Sequence, residues 1–351
     1  MKTSSSNTGT WLTRLKAFWE ALVAKRWLLP VLLMLGLALS FAIPQLNLVN
    51  PYYQLILIYI GVNIILTTSL NLINGYMGEF SVGHAGFMSV GAYIGALLST
   101  RVFPVEWNGW LFPLTVFLAG LGTAFVGLVV AIPSFKTRGD YLAIVTLAFL
   151  MITKSVIENI DAIGGPRGIP GIYKLTNLPW TFIWTVITVW VIRNFVYSNF
   201  GRGVLSIRED EIASDLMSVN TRQVKLLAFV ISSFFAGVAG ALFAHVLQFI
   251  SPRVFDIVKS TDILIMVYLG GIGSITGSIL GATIFTVLLE VLRPLQVWRF
   301  VLMPLVLIFL MLYQPRGIMG LREFRWFIPA RDLFASKLWR AKKEASDAPT
   351  S

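Results

Sequence analysis

An all-α, polytopic transmembrane helix bundle is the fold this sequence predicts, and three observations predict it. Hydrophobic residues make up 56% of the 351 and charged residues only 13%, where a soluble domain carries about a quarter. The charges are also confined. No Asp, Glu, Lys or Arg lies between Arg26 and Glu79, Phe80 and Thr100, Gly109 and Phe135, Leu226 and Ile250, or Ile263 and Leu289. A membrane-crossing helix needs about 20 mostly apolar residues, and several of these stretches supply that. Finally, the basic residues behind a net charge of +11 collect at the borders of apolar stretches and at the two ends of the chain. That is the pattern of orientation in a bilayer, not of one basic face for nucleic acid.

Residues 1–26 carry no small-residue cleavage pattern, so 27–44 reads as an uncleaved first helix. Pro51 opens a second over 52–73, after a polar turn around Asn47 and Asn50. The segment 75–100 holds Gly75, Gly78, Gly83, Gly86, Gly91 and Gly95, a spacing that permits close helix contact or a helix broken inside the membrane. Further spans are predicted over 109–132, 141–157, 180–197 and 226–250. The stretch 263–289 is interrupted by Gly270, Gly271 and Gly273 with Ser274, which favours two short pieces around a bend. The last span is 300–313. The two glycine-rich segments are loosely alike, which hints at an internal repeat.

Arg14, Lys16, Lys25 and Arg26 precede the first span, and Arg316, Arg322, Arg325, Arg331, Lys337, Arg340, Lys342 and Lys343 follow the last. Both termini are therefore expected in the cytoplasm. Arg202, Arg208, Arg222 and Lys225 place 199–225 inside, as Lys136 and Arg138 do for the turn before Tyr141. By elimination 101–108, 159–179 and 251–259 face outward. An even number of crossings follows, about eight or ten according to whether the glycine-broken segments span or re-enter. The chain then divides into a cytoplasmic tail (1–26), a transmembrane domain (27–320) and a basic cytoplasmic tail (321–351).

Several chemistries are disfavoured. There is no cysteine and there are two histidines, so thiolate sites are absent and a clustered metal site is not expected. No glycine-Lys-Ser/Thr phosphate loop occurs, so ATP should not bind or react on this chain. No carboxylate pair or nucleophile with a base at suitable spacing supports an enzyme. An ion-coupled carrier acting alone would need an intramembrane charge, and the long spans hold almost none.

The longest cytoplasmic loop, 201–225, places Leu205, Ile212, Leu216 and Val219 on one face of a helix read over 204–219. Arg208, Glu209, Asp210, Glu211 and Asp215 surround that face. Such a helix lies on the membrane surface or docks in a partner's groove, and its mixture of charge signs favours a partner.

The run Arg202-Gly203-Val204-Leu205-Ser206-Ile207-Arg208-Glu209-Asp210-Glu211-Ile212-Ala213 resembles the cytoplasmic coupling loop of LivM-type permeases of branched-chain amino acid ABC importers. That family's run ordinarily continues with a glycine before its final Asn; here Ser218 stands there, ahead of Val219 and Asn220. The segment Arg138-Gly139-Asp140-Tyr141-Leu142-Ala143-Ile144-Val145-Thr146-Leu147 is similar to the same family, as are the loop 164–169, the region 74–87 and the glycine run 270–274. The likeness extends over roughly 52–320.

The resemblance implies a permease subunit for branched-chain or other neutral amino acids, multi-pass in a bacterial plasma (inner) membrane. Urea or short amides are the alternative cargo within the same class. It also implies four kinds of partner: a homologous second permease subunit, two ATPase subunits that hold ATP and magnesium, an extracytoplasmic substrate-binding protein, and membrane lipid. No cofactor is expected on this chain and no nucleic acid partner. ATPase coupling is expected at Arg208, Glu209, Asp210, Glu211, Ile212, Ala213 and Leu216.

Physically, Gly139 permits a tight turn and Asp140 can cap the helix beginning at Tyr141. A broken helix frees backbone groups that often line a transporter's path. The candidates for a substrate path are therefore Gly83, His84, Gly86, Gly270, Gly271 and Gly273, with tight helix packing the alternative for the glycines. His84 is an ionisable group at membrane depth, with Glu79 beside it. Lys154 and Glu158 are spaced to pair along one helix. His245, Lys259, Asp262 and Glu290 are expected to be structural.

Overall fold

The structure, a computed structural model, describes residues 28–46, 49–104, 108–135 and 141–298, and beyond them 301–302, 305, 308–309, 312–313, 317–320 and 323–324. Its helices are α1 (Leu28–Gln45), α2 (Pro51–Asn71), α3 (His84–Leu97), α4 (Asn108–Ser134), α5 (Tyr141–Asn159), α6 (Leu178–Val196), α7 (Asn199–Glu209), α8 (Glu211–Leu216), α9 (Thr221–Leu247), α10 (Ile257–Gly270) and α11 (Ile275–Val291). This is the all-α, multi-pass bundle that the apolar stretches predict. Among the described residues, α2 with its extension, α4, α5 and α9 are each long and apolar enough to cross a bilayer. The pair α6 and α7, bent by 70°, makes a fifth crossing if counted as one span. The predicted span 300–313 and both tails fall largely outside the described residues, as do Gly139 and Asp140.

Helix starts are set by caps that apolarity alone does not reveal. Asn50 accepts from Tyr52 N at 3.0 Å with Pro51 at the first helical position, so α2 begins there. Asn220 accepts from Gln223 N at 3.1 Å, which starts α9 five residues ahead of the uncharged stretch and takes Lys225 into the helix. At its other end α2 widens into a π-helical segment, Leu72–Met77, and stops at Gly78, whose φ of 77° suits only glycine well.

α2 and α9 form the centre of the bundle, with 78% and 72% of their most apolar stretches buried, against 22% for α5. The outward side chains of α5, including Ile144, Met151, Ile152 and Val156, are suited to lipid. α3 crosses α9 on glycine: a Cβ on Gly91 would overlap the Gly237 backbone, and one on Gly240 would overlap Met88 O. Without a hydrophobic driving force between helices in lipid, such close approach is what holds them. Beyond the far end of α9, Phe249–Ile250 pairs antiparallel with Ile169–Pro170, with Ile169 opposite Ile250. This small ribbon joins two loops that the charge pattern assigns to one side.

Candidate functional site

The expected single helix over 204–219 is two helices. Asp210 adopts φ −161° and ψ 113°, an extended conformation, and its side chain accepts from Ala213 N at 3.0 Å. The acidic residue read as part of an amphipathic run is thus the N-cap that divides it. Leu205 and Val219 pack against the core, whereas Ile212 and Leu216 stand 68% and 82% exposed on α8, with Met217 at 80%. Ser218 has φ 62°, the left-handed conformation for which a glycine is suited at this position.

α7 and α8 are fastened to the Gly78 end of α2. Arg208 Nη1 donates to Gly75 O at 3.1 Å, and a Cβ on Gly78 would press on the Arg208 side chain at 2.6 Å. Arg208 also pairs with Glu209, whose own side chain is largely exposed. The decisive contact is Lys225. Its ammonium, with the side chain 7% exposed, lies 2.6 Å from Glu79 Oε1 and 2.8 Å from Glu211 Oε2. One cation therefore joins α8 to the residue that follows the Gly78 break. Lys225 sits in the sequence as one of several loop cations, and nothing in its spacing from Glu79, 146 residues away, identifies the pair.

From Gly78 to Gly83 the chain is non-helical, and α3 starts only at His84. Backbone groups exposed by such a break need partners away from water, and three helical segments supply them. Asn74 Oδ1 accepts from Ser81 N at 3.2 Å, and Asn74 Nδ2 donates to Ser81 O at 3.3 Å. Val82 N donates to Thr146 Oγ1 on α5 at 3.2 Å. Ser260 Oγ on α10 donates to Val82 O and accepts from Ala85 N. His84 is buried, its Nε2 2.9 Å from Ser69 Oγ. Ser69 Oγ donates to Leu66 O, so the histidine's Nε2–H donates to Ser69 and Nδ1 is left as a bare acceptor. Nδ1 and Ser81 Oγ are both buried without a hydrogen-bond partner. His245, by contrast, is satisfied through Ala241 O at 2.7 Å and Ser99 Oγ at 2.9 Å.

The second break, 271–274, is held by a single side chain of α2. Asn71 Nδ2 donates to Ser274 O at 2.9 Å and Ser278 Oγ at 2.7 Å, and Asn71 Oδ1 accepts from Gly273 N at 2.9 Å. A Cβ on Gly75 would overlap both Asn71 Oδ1 and Gly273 N, so the two glycine-rich regions touch each other. The segment after the last predicted span closes the rest. Ile318 N and Met319 N donate to Leu269 O and Gly270 O, each at 3.0 Å. Glu323 caps α11 by accepting from Ile275 N at 2.5 Å and Thr276 N at 3.1 Å, and also takes the Tyr76 hydroxyl at 2.9 Å.

The candidate path residues thus lie in one connected region. The glycines among them serve close packing in this conformation: Gly83 meets Thr146 O, Gly86 meets Leu150 and Phe149, Gly270 meets Gly277, and Gly271 meets Gly317. The expected Lys154–Glu158 pair does not form; Lys154 instead binds Asp256 at 2.9 Å, because the chain returns at the head of α10 with a closer carboxylate. The Lys154 ammonium and the Ile257 N–H hold the Asp256 carboxyl below its ordinary range. No cluster of three metal-ligating side chains occurs among the described residues.

A family described as the branched-chain amino acid transport system permease component matches residues 52–313, the whole run from α2 through both breaks. The chain belongs to that family. The permease is 32% identical over 291 residues to the high-affinity branched-chain amino acid transport system permease protein LivM of Escherichia coli K12, covering 73% of this chain and 67% of that one. A probable LivM of Methanocaldococcus jannaschii is 26% identical over 76% of this chain and 92% of its own. The permease protein LivH of Escherichia coli K12 is 25% identical over 72% and 89%. No solved structure gives a significant match.

Proposed function

We propose that this chain is the transmembrane permease subunit of an inner-membrane ABC importer that brings branched-chain or other neutral amino acids into the cell. In this reading it pairs with a second, homologous permease subunit and receives substrate from an extracytoplasmic binding protein. Two ATPase subunits drive it and carry the ATP and magnesium. Both termini, residues 1–26 and 321–351, lie in the cytoplasm with the coupling loop, and 27–320 forms the conduit. The likeness to both LivM and LivH supports a paired permease.

The observation that carries the mechanism is the Lys225 bridge between Glu211 and Glu79. The exposed edge of Ile212 and Leu216, with Ala213 between them, is where an ATPase groove receives α8. Movement of α8 reaches Glu79 through Lys225 and Gly75 through Arg208, and so reaches the non-helical stretch that leads to His84. His84 and the start of α3 line the path when that stretch shifts, with Nδ1 as the acceptor for a polar group of the cargo.

Ile212→Asp with Leu216→Asp, or Ala213→Arg alone, tests the docking role on side chains that leave the interior untouched. Substrate-stimulated ATP hydrolysis by the assembled importer in vesicles should fall to its basal level, with membrane assembly unchanged. Stimulation that survives both variants would show that α8 is not the coupling element.

A further inference from the structure

Charged side chains in this chain sit mainly at the borders of its spans, and the open face of α5 is an exception. Lys154 stands inside the span Tyr141–Asn159. Its ammonium pairs with Asp256 at 2.9 Å while the two side chains stay 25% and 38% exposed. Charge within a bilayer faces a bundle interior or a water-filled cavity, and a lipid-facing ion pair is strongly disfavoured. The face of α5 that carries this pair therefore meets water.

The carboxylate comes from a loop that does not stay at the ribbon. Ser260, one turn beyond Asp256, bonds Val82 O and Ala85 N at the start of α3. From Ala85 the helix continues to Ser99, whose hydroxyl meets His245 near the ribbon at 2.9 Å, a rise of about 20 Å. Residues 251–260 thus descend from Ile250 into the bundle, and α10 begins beside the non-helical stretch 78–83. Lys259, whose N–H bonds Asp256 O at 3.0 Å, arrives at the same place. Its ammonium rests over the Phe243 ring at 5.5 Å and forms no salt bridge among the described residues. Asp262 follows one turn later on α10.

Cations and carboxylates meet here with apolar surface beside them, since Ile257 and Val258 are 39% and 55% exposed. This is the complement of an α-amino acid with an aliphatic side chain. The carboxylate of such a molecule needs a cation and its ammonium a carboxylate, because a charged group taken from water is held by an opposite charge. Urea and short amides bring no charge with which to separate Lys154 from Asp256.

We infer that Lys154, Asp256 and Lys259 form a recognition site for the charged head of an α-amino acid in transit, the two ammoniums taking its carboxylate and Asp256 its ammonium. The inference rests on the importer reading and adds to it the residues that select a zwitterion. The Lys154–Asp256 pair is the resting state of the site, and cargo replaces each partner with a charge of the same sign.

The test uses the assembled importer in proteoliposomes with its binding protein, and reads leucine taken up per ATP hydrolysed. Lys259→Met, which breaks no salt bridge, and the pair Lys154→Met/Asp256→Asn should each lower that ratio about tenfold, the effect of losing a charge-assisted hydrogen bond to the cargo. A second measurement does not depend on those variants. The chain has no cysteine, so Thr261→Cys, at an exposed position of α10, presents one thiol to a water-soluble, membrane-impermeant reagent. The chain should be labelled, and leucine delivered by the binding protein should slow the labelling. Absence of labelling shows a lipid-facing surface and overturns the site. So does an unaltered uptake ratio in both variants. Earlier thermal unfolding of Lys154→Met/Asp256→Asn with that ratio unchanged marks the pair as structural, and also overturns the site. Absence of ATP-driven leucine uptake by the wild type overturns the importer reading itself.

Discussion

The two glycine-broken regions look alike in sequence and are held in different ways. The first, 78–83, is bonded by Asn74, Thr146 and Ser260 from three parts of the bundle and is joined through Glu79 and Lys225 to α8. The second, 271–274, is clamped by Asn71 and capped by Glu323. In the proposed mechanism the first segment, tied to α8 through Lys225, follows that helix. In that proposal the second segment, clamped to α2 by Asn71, is the wall against which the first moves. The contact of Gly75 with Gly273 makes α2 common to both.

Lys225→Met should have the largest effect and strike the first region alone. Removing one member of a buried charged cluster leaves Glu79 unpaired at 19% side-chain exposure, a cost of roughly 3 kcal/mol. Stimulated ATP hydrolysis should be lost while basal hydrolysis continues, and thermal unfolding should occur earlier. Asn71→Ala should come next, at about 2 kcal/mol, because Gly273 N and Ser274 O lose their buried partner. Here unfolding shifts but the ratio of stimulated to basal hydrolysis should hold. If Asn71→Ala uncouples the enzyme subunits and Lys225→Met does not, the assignment of moving and fixed regions is reversed. The smallest effect should be a gain. Ser218→Gly relieves a left-handed serine by about 1 kcal/mol, and unfolding of the purified permease should move to higher temperature with coupling retained.

Much of the bundle was legible because it follows from short-range properties. The absence of charge over lengths near a bilayer's thickness placed α2, α4 and α9, and the glycine run at 270–273 placed the bend between α10 and α11. The candidate site was legible only in outline. Asp210 was visible as an acidic residue in an amphipathic run, yet whether it extends a helix or caps one depends on a local φ and ψ that burial of Leu205 on one side and exposure of Ile212 on the other decide. Lys154 had a suitable partner one turn away and took another brought in by the fold.

The sequence by itself determined the solvent, the approximate spans and the family, since a run of apolar residues cannot remain in water and ordered motifs survive in the linear text. Only the tertiary structure decided which polar groups meet. Asn71 and Gly273 are 202 residues apart, and Lys225 and Glu79 are 146 apart. Away from water each buried polar group must find a partner wherever the packing of helices brings one, and that packing is a property of the whole bundle rather than of any segment.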